Sequence, residues 1–329
     1  MKLEHIGTLL QEIQPSGAVA VVTDSNVAPL YLDRCRDSLE EAGYRVFARV
    51  VPAGEESKSG ASYLSLLSFL AGIPLTRSDG VVALGGGMIG DLAGFAAATY
   101  LRGINVYQVP TTLLAAVDSS VGGKTGIDLP EGKNLAGAFH QPALILQDPS
   151  LLETLPEDVY RQGMAEVIKY GVIEDAKFFA RLTDPAWVRA HPEEVIRRCV
   201  EIKRCYVEQD ERDRGVRHAL NFGHTIGHAV EQLSGYRVSH GDAVAKGMLR
   251  IAQISAAQNW CTADVPQEIG RMLARYGFDT EIPYDAEQLF EALSQDKKRT
   301  GEVIRLVTPV AIGRYRIRPL PMEELRRIL

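Results

Sequence analysis

Gly80-Val-Val-Ala-Leu84, followed at once by Gly85-Gly-Gly-Met-Ile-Gly90-Asp91, decides the architecture of this chain. The first five residues are an unbroken apolar run with two valines, the pattern of a strand buried on both faces. Gly85, Gly87 and Gly90 then fit Gly-x-Gly-x-x-Gly. Glycines let the backbone turn tightly and approach a pyrophosphate. The helix start beyond offers free N–H groups and a partial positive charge. Alone the signal is weak, because a strand–helix joint with no ligand has the same spelling. The turn also follows the third strand, whereas the ordinary dinucleotide fold has it after the first. Asp91 sits just inside an apolar helix, where a carboxylate needs a partner.

Outward from that turn, strand and helix patterns alternate. Ala18 to Val22 reads as a buried strand, followed by Thr23-Asp24-Ser25-Asn26 and a helical stretch to Glu41. Tyr44 to Val51 is a second strand and Ser59 to Leu70 a helix. Met88 to Thr99 is a helix of small residues, Ile104 to Val109 a fourth strand and Ala143 to Leu146 a fifth. Strands separated by helices give a parallel, doubly wound sheet. Asp24 and Glu55, after the first and second strands, suit ribose hydroxyls, or are solvated loop acids. Beyond Leu155-Pro156 helical periods dominate: Glu157 to Gly171, His191 to Asp210, Val216 to Ser234 and Asp242 to Asn259. A strand pair around Val303–Val307 and Arg314–Ile317 closes the chain. The expected fold is therefore α/β, with an N-terminal doubly wound parallel-sheet domain over 1–150 and a mainly α-helical domain over 151–329.

The bulk properties narrow the class. At 329 residues the chain has room for two domains, and 46% hydrophobic with 24% charged residues is a globular composition. A net charge of −6 argues against nucleic acid or anionic membrane as a partner. No basic start precedes an apolar core at the N-terminus, and no apolar run is long enough to span a bilayer. Cys35, Cys199, Cys205 and Cys261 are scattered, which suits free thiols in a reducing cytoplasm.

His224, His228 and His240 crowd into one short stretch of a chain with 7 histidines. His224 and His228 are one helical turn apart and share a face, as two metal ligands would. A histidine pair on a helix is more often structural. Here, however, Glu231 lies on the same face, and Glu166 interrupts an apolar helix in Gly163-Met-Ala-Glu-Val-Ile-Lys169. Spacing alone leaves Glu166, Glu231 and His228 all open as the third ligand. A metal beside a nucleotide turn suggests redox chemistry at a metal-bound oxygen. Lys169, Lys203, Arg217, Lys297 and Lys298 are each ordinary surface cations when taken singly. Together in one site they would mean a polyanionic substrate, such as a phosphate plus a carboxylate. Gly122-Gly-Lys124-Thr125 resembles the end of a phosphate-binding P-loop, but position 118 is Asp where that motif needs Gly. The donor-rich loop Asp118–Thr125 would bind an anion by other means.

At this point several stretches carry one resemblance over almost the whole chain. They are Gly85–Asp91, Val109-Pro-Thr-Thr…Gly-Gly-Lys-Thr-Gly126, Gly132-Lys-Asn134…Phe139, Ala165-Glu-Val-Ile-Lys-Tyr-Gly171 and Leu220-Asn-Phe-Gly-His-Thr-Ile-Gly-His228. The chain resembles the 3-dehydroquinate synthases, of the sugar-phosphate cyclase superfamily. The resemblance implies NAD and zinc, or another divalent metal such as cobalt, with the first domain binding NAD and the second the metal and substrate. It implies a metal site of Glu166, His224 and His240. It implies NAD contacts at Asp24, Asn26, Glu55, Lys58, Gly85, Gly86, Gly87, Met88, Asp91, Thr111, Thr112, Lys133 and Thr154. Substrate contacts fall to Asp118, Lys124, Asn134, Lys169, Lys203, Arg217, Asn221, His228 and one of Lys297 and Lys298. Arg102 is similar to an arginine that reaches a neighbouring subunit's phosphate site, which implies a homodimer. The implied reaction converts 3-deoxy-D-arabino-heptulosonate 7-phosphate, a phosphorylated sugar acid, to 3-dehydroquinate and phosphate, with NAD recycled. This is a cytoplasmic step of the shikimate pathway toward chorismate and the aromatic amino acids. Two positions depart from the family pattern. Asp242 stands where His-Gly-Glu is usual, and Lys246 where a small or apolar residue is usual; Asp242 is not expected to be a ligand. A related sugar-phosphate cyclase, an NAD-dependent metal-containing polyol dehydrogenase and a non-catalytic nucleotide sensor remain as alternatives.

Overall fold

The computed structural model describes residues 1–297 and 303–329 and divides into two compact units, Met1–Pro156 and Glu157–Leu329. The first unit contains helices α1 (Ile6–Gln11), α2 (Asp33–Glu41), α3 (Gly60–Gly72) and α4 (Gly87–Thr99). Its strands are β1 (Ala18–Asp24), β2 (Arg45–Val51), β3 (Gly80–Gly85), β4 (Asn105–Pro110), β5 (Lys124–Leu129), β6 (Gly132–Phe139) and β7 (Leu144–Ile145). Five of these form a parallel sheet in the order β2-β1-β3-β4-β7.

Every residue of β1 is buried. Side chains alternate across a strand, so Ala18, Ala20 and Val22 join one core with Leu66 and Leu92, while Val19 and Val21 join the other with Leu10 and Leu39. This is why β1 and β3 are continuous apolar runs in sequence. The strand order also explains the place of the glycine turn. The chain leaves β1 toward β2 on one side and β3 toward β4 on the other. The reversal opens a crevice at the carboxyl ends of β1 and β3, where ligands of such sheets bind. Asp24 and Gly85 end those two strands.

The antiparallel pair β5–β6 was not anticipated, because the donor-rich loop and the glycines beside it are poor strand formers. Gly126 and Gly137 face each other in this hairpin, and a Cβ on Gly137 would overlap the Thr125 carbonyl oxygen. Lys124 therefore opens a strand instead of ending a loop.

The second unit contains α5 (Glu157–Ile173), α6 (Ala176–Arg181), α7 (Pro185–Ala190), α8 (Pro192–Gln209), α9 (His224–Leu233), α10 (His240–Ala257), α11 (Asp264–Arg275) and α12 (Ala286–Lys297). An antiparallel pair, β8 (Val303–Ala311) and β9 (Arg314–Pro321), and α13 (Met322–Ile328) complete it. The single helix expected over Val216 to Ser234 is two elements. A 3-10 turn, Val216–Asn221, ends before Gly223, which adopts φ +84 and starts α9 afresh at His224. Only glycine takes that backbone without strain, and the break makes His224 the first residue of its helix.

Gly223, Gly227 and Gly247 let α9 and α10 pack backbone against backbone. A Cβ on Gly227 would lie 3.0 Å from the Ala243 carbonyl oxygen, and one on Gly247 would overlap that of Gly223. A backbone oxygen cannot swing aside. Gly247→Ala should therefore cost ~1–3 kcal/mol of overpacking, more than the ~1 kcal/mol that alanine gains over glycine in a helix. Gly72→Ala, where a Cβ meets nothing within 4 Å, should instead gain ~0.4–1 kcal/mol. Urea unfolding checks both: the midpoint falls for the first variant and holds or rises for the second. Among the described residues no helix is long and apolar enough to cross a membrane.

Candidate active site and metal centre

Three helices of the second unit bring Glu166 (α5), His224 (α9) and His240 (α10) together. Glu166 Oε1 lies 3.5 Å from His224 Nε2 and 3.4 Å from His240 Nε2. One ligand atom from each of the three falls within 4.8 Å of the others. The carboxylate is fully buried and also pairs with Lys169, one turn along α5. Two imidazole nitrogens and one carboxylate oxygen are the protein donor set of a catalytic divalent metal site, so the residues fit the ion. His224 Nδ1 faces the Phe222 carbonyl at 3.2 Å, which leaves Nε2 toward Glu166. Burial pushes the His224 imidazole down to about 3, so it is held in the neutral form that binds a metal. Burial opposes charge on His240 too, but the carboxylates of Glu166 and Glu231 on either side of the ring outweigh it and raise that imidazole to about 10. A cation entering here would displace that proton.

His228, one turn after His224, presents its ring 5.5 Å away and nearly perpendicular. His228, Glu231 and His240 form a second group with ligand atoms within 4.8 Å. The geometry thus offers two trios that share His240.

The start of α10 is clamped. Ser239 caps the helix by accepting from Asp242 N at 3.3 Å, and its hydroxyl donates to Asp242 Oδ2 at 2.7 Å. Arg161, on the same helix as Glu166, donates to Asp242 Oδ1 at 2.6 Å and Oδ2 at 3.3 Å. This bidentate pair ties α5 to α10 beside the ligands that each carries. The departure at Asp242 is therefore a helix-to-helix contact. The departure at Lys246 is a buried ammonium 2.9 Å from Asp279 Oδ2 and 2.6 Å from the Glu281 carbonyl. Arg161 carried no signal of its own in sequence, because its partner Asp242 lies 81 residues further along the chain.

In the first unit Lys58 is the hub. Its buried ammonium lies 2.6 Å from Asp91 Oδ2, 2.5 Å from Asn134 Oδ1 and 3.8 Å from Glu55 Oε1. Burial opposes that charge, but Asp91 and Glu55 outweigh it and hold the ammonium above its usual range. Asp91 thus finds the partner that its place in an apolar helix required. Asn134 is held at φ 56, with its N–H donating to Asp128 Oδ1 at 2.8 Å. At the carboxyl ends of the strands, Asp24 Oδ1 accepts from the N–H groups of Asn26 and Val27 at 2.8 and 3.1 Å. Helix α4 begins at Gly87 behind Gly86, an N-cap position with no side chain to cap the first N–H groups. Thr111 N donates to the Gly85 carbonyl at 2.9 Å, and the buried Thr111 Oγ1 finds no partner among the described residues. Uncapped amides beside a glycine turn, with an orphaned hydroxyl next to it, fit a dinucleotide.

The other expected residues are more dispersed. Met88 lies in the first turn of α4, and Thr112 Oγ1 accepts from Ala115 N. Asp118 is half-buried in a short π-helix, Ala115–Ser119, before β5, and Lys133 lies in β6. Thr154 Oγ1 meets the Tyr31 hydroxyl at 2.5 Å. Arg102 is exposed, in a left-handed turn with Leu101. Lys203 and Arg217 are buried, and Arg217 donates to the Glu211 carbonyl at 2.6 Å. Asn221 Nδ2 lies 3.1 Å from His218 Nδ1. Lys297 closes α12, and Lys298 lies outside the described residues.

A family model described as the N-terminal part of 3-dehydroquinate synthase matches residues 48–162, and one described as its C-terminal part matches residues 163–299. The chain is 43% identical to the 3-dehydroquinate synthase of Streptococcus gordonii strain Challis, over 99% of its own length and 94% of that protein. It is 44% identical to the one from Streptococcus pneumoniae over the same shares. A 2-deoxy-scyllo-inosose synthase, solved with carbaglucose-6-phosphate, NAD+ and Co2+, superposes with a TM-score of 0.89 at 25% identity. That likeness covers 99% of this chain and 93% of the other. The gap between 43% and 25% favours the synthase over the related cyclase, and the match in both halves favours it over a dehydrogenase or a sensor. With both halves matched at this coverage, the chain belongs to the 3-dehydroquinate synthase family.

Proposed function

We propose that this protein converts 3-deoxy-D-arabino-heptulosonate 7-phosphate to 3-dehydroquinate and phosphate, with NAD in the first unit and zinc or cobalt at Glu166, His224 and His240. The observation that carries the proposal is the buried Glu166 carboxylate facing two imidazole Nε2 atoms at 3.4 and 3.5 Å. When bound, NAD would supply reversible hydride acceptance, and the metal would polarise the oxygen of the alcohol whose carbon is oxidised. The chain's own residues bind and orient. Lys58, fixed by Asp91, stands with Glu55, Asp24, Asn26, the Gly85–Gly87 turn, Met88, Thr111, Thr112, Lys133 and Thr154 on the cofactor. Lys124, Asn134 and Arg102 hold the departing phosphate, and Arg217 and Asn221 hold the carboxylate. Asp118, Lys169, Lys203 and one of Lys297 and Lys298 complete the contacts. His228 moves a proton at its imidazole nitrogen. Fixing both anionic ends of the substrate removes much of the entropic barrier to elimination and ring closure.

A homodimer that shares Arg102 across its subunits, working in the cytoplasm, completes the proposal. The exposed Arg102, presented by the left-handed turn at Leu101 (φ 50) and Arg102 (φ 70), supports the first part. Four free cysteines support the second. Incubating the protein with the heptulosonate phosphate, NAD and zinc, and following the mixture by proton NMR, tests the function. The expected product is 3-dehydroquinate, formed only when both NAD and metal are present. Unchanged substrate, or another carbocycle from a different sugar phosphate, would contradict it.

A further inference from the structure

Glu231 is a carboxylate on the buried face of α9, 3% exposed, among Ile226, Ala229 and Val230. A buried charge in such a place is costly unless it is paired. Its Oε1 lies 3.6 Å from His240 Nδ1, an ion-pair distance just beyond that of a hydrogen bond. On the other side of the same ring, His240 Nε2 faces Glu166 Oε1 at 3.4 Å. The two ring nitrogens of His240 therefore point at two different carboxylates. The glycine contact described above sets this spacing: Gly227, one turn before Glu231, packs on Ala243, one turn after His240.

We propose that Glu231 is a positioning residue for the metal centre: it accepts from His240 Nδ1–H, fixes the tautomer that leaves Nε2 bare, and turns that nitrogen toward Glu166 and His224. The proposal rests on the metal site of the preceding subsection. A ligating histidine whose second N–H is held by a carboxylate is a fixed and more basic ligand, and loss of such a partner typically weakens metal binding ~10–100-fold. The competing use of the same atoms is a second cation held by His228, Glu231 and His240. That use would need both His240 nitrogens bare while Nε2 serves the first site, which an uncharged imidazole cannot supply.

Metal-free protein titrated with zinc against a chromophoric chelator tests this, using wild type, Glu231→Ala and Glu231→Gln. Wild type should bind one zinc per chain. Glu231→Ala should bind it ~10–100-fold more weakly. Glu231→Gln should fall between, because its amide oxygen still accepts a hydrogen bond. The visible spectrum of cobalt-loaded protein should change in both. Thermal unfolding of the metal-free forms separates a packing defect from a ligand defect, and the isosteric glutamine variant decides the matter if the alanine variant fails to fold. Wild-type zinc affinity in folded variants would overturn the role given to Glu231 and leave the metal site standing. So would two zinc ions per wild-type chain falling to one in Glu231→Ala. Wild type that binds no zinc would overturn the metal reading as well.

Discussion

His224→Ala should emerge from purification with most of its divalent metal gone, whereas His228→Ala should keep its metal and turn over ~10²–10⁴-fold more slowly, the range typical of a lost proton-transfer group. The two histidines share a helix face, so the contrast comes from their surroundings. His224 Nε2 faces the buried Glu166 carboxylate at 3.5 Å, and burial keeps its ring neutral. Removing it deletes one of the three proposed ligands and leaves Glu166 facing His240. His228 is exposed at the next turn of α9, on the side of Glu231. Elemental analysis and steady-state rates on the two variants decide the matter. Equal metal loss in both would overturn the Glu166–His224–His240 assignment and favour a site built from His224, His228 and His240.

Mixing two inactive proteins should restore activity. In the proposed dimer, Arg102→Ala lacks the arginine that would be given in trans, and Lys124→Ala lacks the lysine that would be given in cis. In a heterodimer the site that uses the first subunit's Lys124 and the second subunit's Arg102 is whole. If subunits of a symmetric dimer exchange freely, half of the dimers are mixed and each has one complete site, so about a quarter of all sites should work. Arg102 suits this role because it is exposed on a strained turn: Leu101 and Arg102 both have positive φ, where side-chain-bearing residues cost ~1–3 kcal/mol each. No recovery, with subunit exchange shown by mass labelling, would mean that each chain completes its own phosphate site.

What was legible in the sequence follows from what each signal depends on. The runs in β1 and β3 were readable because strands buried on both faces carry no polar interruption. Asp91 was readable as a carboxylate in need of a partner, but Lys58 was not readable as that partner, because the strand order brings them together. The same holds for Glu166. Its place in an apolar helix flagged it, yet only the packing of α5 against α10 separates it from Glu231 and His228 as the third member of the His224 site. The break at Gly223 was hidden because apolar periodicity runs on through Val216 to Ser234, while the left-handed glycine depends on how closely α10 approaches. The β5–β6 hairpin was hidden for a related reason. Its glycines are there for backbone contact across the pair, and glycine lowers every local strand signal. The clamp of Arg161 on Asp242 joins residues far apart in the chain, so no local pattern could show it.

The central claim is that NAD is a catalyst here and is returned unchanged at the end of each turnover. The most direct measurement supplies a trace of NAD with excess heptulosonate phosphate and follows released phosphate and NADH absorbance together. Phosphate should exceed the NAD supplied many times over, with no lasting rise in NADH. Phosphate release that stops at the amount of NAD, with NADH accumulating in step, would contradict the account and return the chain to the dehydrogenases.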